Sequence, residues 1–187
     1  MRHEADDAKT QIQLQNITDA EAEALIVRSV ELFNEVRENW WQSEGREQGR
    51  VYPLCLAGIG PYGAYLANGA EYRGRYGVSK EVLRQFHACR MELLWNAGAD
   101  ILLIETQPSL QEALLEADLA EQLGADYWIS FTCGDDAHTW EGDDIRDCAK
   151  ALSENHPHLK MIGVNCVAPH LVSGLIENLK AGCGLPI

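Results

Sequence analysis

Six polar side chains stand in pairs where apolar runs give way to loops: Glu105 and Thr106, Ser130 and Thr132, Asn165 and Cys166. A carboxylate can hold an ammonium group, a hydroxyl or carboxamide can orient a small polar ligand, and a thiolate can bind a soft metal or act as a nucleophile. The preceding runs, 99–105, 126–132 and 160–166, are almost wholly apolar. Such runs predict parallel strands buried on both faces, and in open or closed parallel sheets the sites lie at the C-terminal strand ends. One polar strand end is commonplace; three in succession mark Glu105, Thr106, Ser130, Asn165 and Cys166 as candidate site residues. Read alone, Cys166 is more often a buried structural cysteine.

The elements that position these residues follow from periodicity and caps. Thr18-Asp19-Ala20-Glu21 reads as a capping box that starts a helix running to about Trp41. Residues 1–17 read as a lead-in and 18–187 as one domain. A strand is expected over 51–57, weakened by Pro53. Helices are expected at about 79–96, 110–123 with Ser109 as cap, 143–154 and 169–180. Strand–helix alternation leaves two architectures, a doubly wound sheet or a (β/α)8 barrel.

Gly58-Ile59-Gly60-Pro61-Tyr62-Gly63 formally matches a dinucleotide fingerprint. That fingerprint needs a helix directly after the loop, to place amides on a pyrophosphate, and Pro61 lacks an amide donor. The segment is better read as a loop bordering a pocket, with Gly60 and Tyr62 in its wall. His156 and His158 sit in a turn, and Cys166 with His170 is a weak metal pair. His87 and Cys89 share a helix with no partner at ligand spacing, and Trp40-Trp41 reads as packing.

The net charge is −14, which disfavours nucleic acid and anionic membrane surfaces as partners. No apolar run is long enough to span a bilayer, and Met1 to Gln15 lacks a secretory h-region. Six cysteines without a CxxC pair fit reduced thiols and a cytoplasmic setting.

The ordered segments Ala57 to Leu66, Glu71-Tyr72-Arg73-Gly74, Ile104-Glu105-Thr106, Trp128 to Thr132, and Gly163-Val164-Asn165-Cys166 with Pro169 resemble the homocysteine S-methyltransferase family, in its S-methylmethionine-using branch. The resemblance runs from about residue 18 to the end. It implies a (β/α)8 barrel, of which about four parallel strands with flanking helices are present here. It implies zinc-dependent transfer of a methyl group from S-methylmethionine, or a related sulfonium donor, to homocysteine, giving methionine. It maps one of three zinc-binding cysteines to Cys166 and the homocysteine amino-group anchor to Glu105. It assigns no catalytic residue to this chain.

The family's GGCC segment and its early Asp-Gly strand have no counterpart in this sequence. The 187 residues also fall short of the roughly 250 that a full barrel needs. The expectation is therefore an incomplete internal portion of the barrel. The alternative is a non-catalytic truncated domain acting through self-association or a partner chain, because an unclosed sheet favours association.

Overall fold

The structure, a computed structural model, describes residues 17–187. The expected lead-in falls outside the described residues but for Ile17. Helix α1 (Asp19–Trp40) opens with the capping box: the Thr18 side chain accepts from the Glu21 amide, and the Glu21 carboxylate returns to the Thr18 amide at 2.8 Å. A π-helical turn, Trp41–Gly45, ends it where a loop was expected. The Trp40 ring lies so close over Gly45 that a β-carbon there would approach it to 2.6 Å, so this turn needs glycine.

Strand β1 (Leu56–Ile59) starts later than the sequence suggests, because residues 51–55 take no strand pairing. A four-residue helix α2 (Tyr62–Tyr65) and a short 3-10 turn (Ala70–Tyr72) follow. The glycine-rich loop was expected to run on without a helix, yet Pro61 caps α2. At one turn, α2 is too short to hold a pyrophosphate. Helix α3 (Lys80–Asn96), β2 (Ile101–Gln107), α4 (Leu110–Leu123), β3 (Tyr127–Phe131), α5 (Ile145–Asn155), β4 (Leu159–Val164) and α6 (Val172–Gly182) complete the alternation. Ser79, Ser109 and Asp144 cap α3, α4 and α5 through side-chain oxygens.

The four strands are parallel, in the order β1-β2-β3-β4. Strand order decides between the two architectures. A doubly wound sheet reverses direction at a switch point and so puts helices on both faces. Right-handed crossovers that always step the same way put every helix on one face, as in a barrel wall. The sheet is thus four adjacent staves of a (β/α)8 barrel.

This arrangement corrects the expectation of burial on both faces. Leu102, Ile104, Tyr127, Ile129, Phe131 and Ile162 are buried under the helices, while Leu103, Trp128 and Met161, between them in sequence, are only partly covered. Met161 is 36% exposed. The apolar residues on this other face belong to the inside of the wall. Beyond β4, the Ile162 amide donates to the Pro186 carbonyl at 3.1 Å, so the C-terminal tail lies along that edge. Among the described residues, no helix is long and apolar enough to cross a membrane.

Candidate functional site

The pairing of β2 with β3 slips by one residue between Ile104 and Gln107, while β3 advances only from Ile129 to Phe131. The extra residue is a β-bulge at Glu105–Thr106, and a bulge re-aims side chains at a strand end. Thr106 has φ of 60°, in the left-handed region that a β-branched residue enters only when its surroundings compel it. Cys166, just past β4, has φ of 53°. Two strained turns on either side of β3 therefore aim their side chains at one place.

Asn165 holds that place together. Its Oδ1 accepts from the Thr106 amide at 2.8 Å and from Ser130 Oγ at 3.0 Å. The backbone amide can only donate, so it fixes which way the carboxamide faces. Its Nδ2 then donates to Thr106 Oγ1 at 2.8 Å and reaches Glu105 Oε2 at 3.3 Å and Cys166 Sγ at 3.6 Å. Thr106 Oγ1 passes its own proton toward Cys166 Sγ at 3.7 Å, and Thr132 Oγ1 donates to the Cys166 carbonyl at 3.2 Å. Residues from three strand ends thus form one hydrogen-bonded set. Ser130, whose type alone gave it no definite task, is the support that orients Asn165.

Beside this set lies a concavity of about 260 Å³ on the open face of the sheet, lined by Glu105, Ser130 and Asn165 and floored by Leu103, Trp128 and Met161. It combines an apolar floor with a few convergent polar groups, the usual composition of a small-molecule site. A larger groove, lined by Lys80, Arg84, Leu110 and Asp118, lies on the helix side and has no link to the strand ends. The chemistry argues for the smaller one.

The family profile described as Homocysteine S-methyltransferase matches residues 7–186. The chain belongs to the homocysteine S-methyltransferase family. It is 42% identical over 172 residues to the homocysteine S-methyltransferase YbgG of Bacillus subtilis, covering 91% of this chain and 54% of the relative. It is 40% identical over 173 residues to homocysteine S-methyltransferase 4 of Zea mays, covering 89% and 50%. Among solved structures, the metallated form of the Escherichia coli homocysteine methyltransferase MmuM superposes with a TM-score of 0.84 at 36% identity, over 93% of this chain and 59% of that one. The chain spans about half the length of the curated relatives it matches.

Within this family member, sequence reasoning passed over Tyr72. Its phenol lies near Cys166, and that proximity raises the phenol's pKa. The signal was available, since Tyr72 lies in the Glu71-Tyr72-Arg73-Gly74 segment that carries the resemblance. The loop bearing it is latched to the β3–α5 connection: the Arg75 amide donates to Glu141 Oε1 at 2.5 Å, and the Arg75 guanidinium donates to the Glu141 carbonyl at 3.1 Å.

Gly60 and Tyr62 do not line the concavity. The Tyr62 ring packs among Tyr65, Tyr76 and Phe86, 5.0 Å from Phe86 in an edge-on contact. The end of β1 meets the site through Gly58 instead, where a β-carbon would come within 3.0 Å of Glu105 Oε1 and the carboxylate would have to shift to admit it.

The other residues weighed for metal binding lie apart from the strand ends. His156 Nδ1 is bonded to the Leu152 carbonyl, and His158 pairs with Asp126. Cys183 caps the end of α6. His87 is not partnerless: it is fully buried between Glu112 and Glu116 of α4. Among the described residues, no three His, Cys, Asp or Glu side chains gather closely enough to hold a metal ion.

Proposed function

We propose that this chain forms the homocysteine-binding wall of a homocysteine S-methyltransferase, in which Glu105 receives the substrate ammonium group and Asn165, braced by Ser130 and Thr106, holds Glu105 and Cys166 in register. The observation that carries the proposal is the single hydrogen-bonded set joining Glu105, Thr106, Ser130, Asn165 and Cys166 beside the concavity. Family membership supplies the reaction class. A homocysteine thiolate attacks the methyl carbon of a sulfonium donor. The new S–C bond forms as the old one breaks, and the donor leaves as a neutral thioether because its positive charge is lost in the transfer. With S-methylmethionine as donor, both products are methionine.

Zinc held by three thiolates is the cofactor implied by the resemblance. The described residues do not fit that group on their own, because Cys166 contributes one sulfur and its neighbours Thr106 and Asn165 present hydrogen-bond donors to it. No step is therefore routed through zinc. The chain's own part is to bind and orient: a carboxylate for the ammonium, a hydrogen-bonded frame for the strand ends, and an apolar floor for the methylene chain.

Calorimetric titration of the chain with L-homocysteine tests the reading. Binding that is lost in Glu105→Ala and kept in a surface variant such as Glu47→Ala is the expected result. No binding by the wild-type chain, and no methionine formed from homocysteine and S-methylmethionine by the protein carrying this segment, would overturn it. Pairing of the chain with itself is a second reading, favoured by the partly exposed Leu103, Trp128 and Met161 on the open face. A monomer in sedimentation at micromolar concentration rejects it.

A further inference from the structure

Behind the Gly58–Tyr62 segment lies a cluster of ionisable groups that the strand-end site does not use. Glu112 Oε1, on α4, accepts from the Tyr62 amide at 2.7 Å and lies 2.9 Å from His87 Nε2. His87 Nδ1 lies 3.0 Å from Glu116 Oε1 and 3.3 Å from Arg90 Nη2. The same Arg90 nitrogen donates to the Gly60 carbonyl at 3.1 Å, and its guanidinium stacks 5.0 Å over the Phe86 ring. His87, Glu112 and Glu116 are all fully buried. Glu112 Oε2, both Glu116 oxygens and the Tyr76 hydroxyl have no well-formed hydrogen bond. The 3.0 Å approach of Glu116 to His87 is thus close but out of line.

One proton arrangement satisfies these contacts. His87 Nε2–H donates to Glu112 Oε1, which also accepts from the Tyr62 amide, and Nδ1 remains an acceptor facing Arg90. Burial pushes His87 below its ordinary value, toward the neutral ring, and pushes Glu116 well above its ordinary value, toward the neutral acid. Such a set is a poor way to stabilise a core, since well-packed apolar side chains do as well without the desolvation cost. Its distinctive output is directional. Two of its members end on successive backbone groups of one loop, the Gly60 carbonyl and the Tyr62 amide.

We propose that Glu112, with His87 and Arg90, is a positioning group for the amino-acid pocket: it fixes the Gly60–Tyr62 turn from the helix side, and so sets where the end of β1 at Gly58 stands against Glu105, the carboxylate that receives the amino acid's ammonium group. This rests on the homocysteine reading above. Glu112 touches no substrate. Its effect passes through the Tyr62 amide and along the chain to Gly58, where a β-carbon would come within 3.0 Å of Glu105 Oε1.

The test compares Glu112→Leu, which removes the acceptor, with Glu112→Gln, which keeps one carbonyl oxygen for the Tyr62 amide. Hydrogen exchange is followed by NMR and homocysteine affinity by calorimetry. Glu112→Leu is expected to speed exchange of the Tyr62 amide at least ~10-fold and weaken homocysteine binding ~10-fold, with amides in β2 and β3 unchanged; a 10-fold change is about 1.4 kcal/mol, within the net worth of one hydrogen bond. Glu112→Gln is expected to restore both.

Equal Tyr62 exchange in all three proteins overturns the positioning role, whatever happens to binding. Wild-type protein that binds no homocysteine, but shows the exchange pattern, overturns the substrate reading and leaves the loop-fixing geometry standing. Should Glu112→Leu fail to fold, nitrogen-15 NMR of wild-type His87 decides. A neutral ring protonated on Nε2 at pH 6.5 is expected, and a charged ring or a proton on Nδ1 overturns the arrangement.

Discussion

Asn165→Ala should cost the fold about 2–3 kcal/mol. The carboxamide makes bonds to the Thr106 amide, Thr106 Oγ1 and Ser130 Oγ at 2.8–3.0 Å. Each is worth about 1 kcal/mol net, and a part-buried amide left without an acceptor costs about 1–3 kcal/mol. Ser130 borders the open concavity and Thr106 is only half-buried, so both hydroxyls can turn to water, which returns part of the loss. Loss at the Thr106 amide costs most, because its bond holds a threonine at φ of 60°. For a domain of this size the expected drop in Tm is about 4–12 °C. Urea unfolding with an unchanged m-value is the assay. Asn165→Asp sharpens it, because the new carboxylate would face Glu105 Oε2 across the present 3.3 Å gap. That variant should lose further stability as pH rises and the introduced acid ionises. A loss below about 0.5 kcal/mol in Asn165→Ala, the range of an ordinary surface change, would refute Asn165 as the hub of the strand ends.

Thiol chemistry should divide the cysteines. Cys166 and Cys89 are exposed and should be labelled by an aromatic disulfide in the native chain. Cys89 should be the slower, since burial and then Glu23 and Glu92 push its thiol up. Cys133, pushed up to about 12 by burial, and Cys148 should react only after urea is added. Glu116→Gln should stabilise the chain increasingly from pH 5 to pH 8. The wild-type carboxyl sits well above its ordinary 4.5 when folded, so the unfolded chain alone releases that proton as pH rises, and urea midpoints at the two pH values report the difference. Thr18→Ala should cost about 1 kcal/mol by removing the α1 cap, read as a lowered urea midpoint.

The strands, the helices and most caps were legible in the sequence because they are local. Ser79 and Ser109 precede helical apolar spacing, and each side chain accepts from a first-turn amide as expected. Strand β1 was displaced because Val51 and Leu54 look like strand residues, yet Val51 is 89% exposed and pairs with nothing. The alternating burial of β2 and β3 was hidden because the inner wall of a barrel is as apolar as its outer face. The bulge at Glu105–Thr106 left no local mark: register is a contract between two strands, and only the pairing with β3 reveals the extra residue. Glu105 and Cys166 were found through resemblance and strand-end position, whereas the bond from Ser130 to Asn165 joins residues 35 apart. His87 was read as isolated because its partners are 25 and 29 positions away, on a helix that comes alongside only after folding.

The tail carbonyl of Pro186 on the Ile162 amide gives the sheet a direction of growth. The outer rim of β4 is already engaged by its own polypeptide, whereas among the described residues β1, from Leu56 to Ile59, pairs with β2 alone. Among those residues a visiting strand would find donors and acceptors free along the β1 rim and would have to displace the tail at the other. Stray association in a concentrated solution should therefore begin at Leu56–Ile59, and a charged residue placed there should suppress it more than the same residue placed beside Ile162.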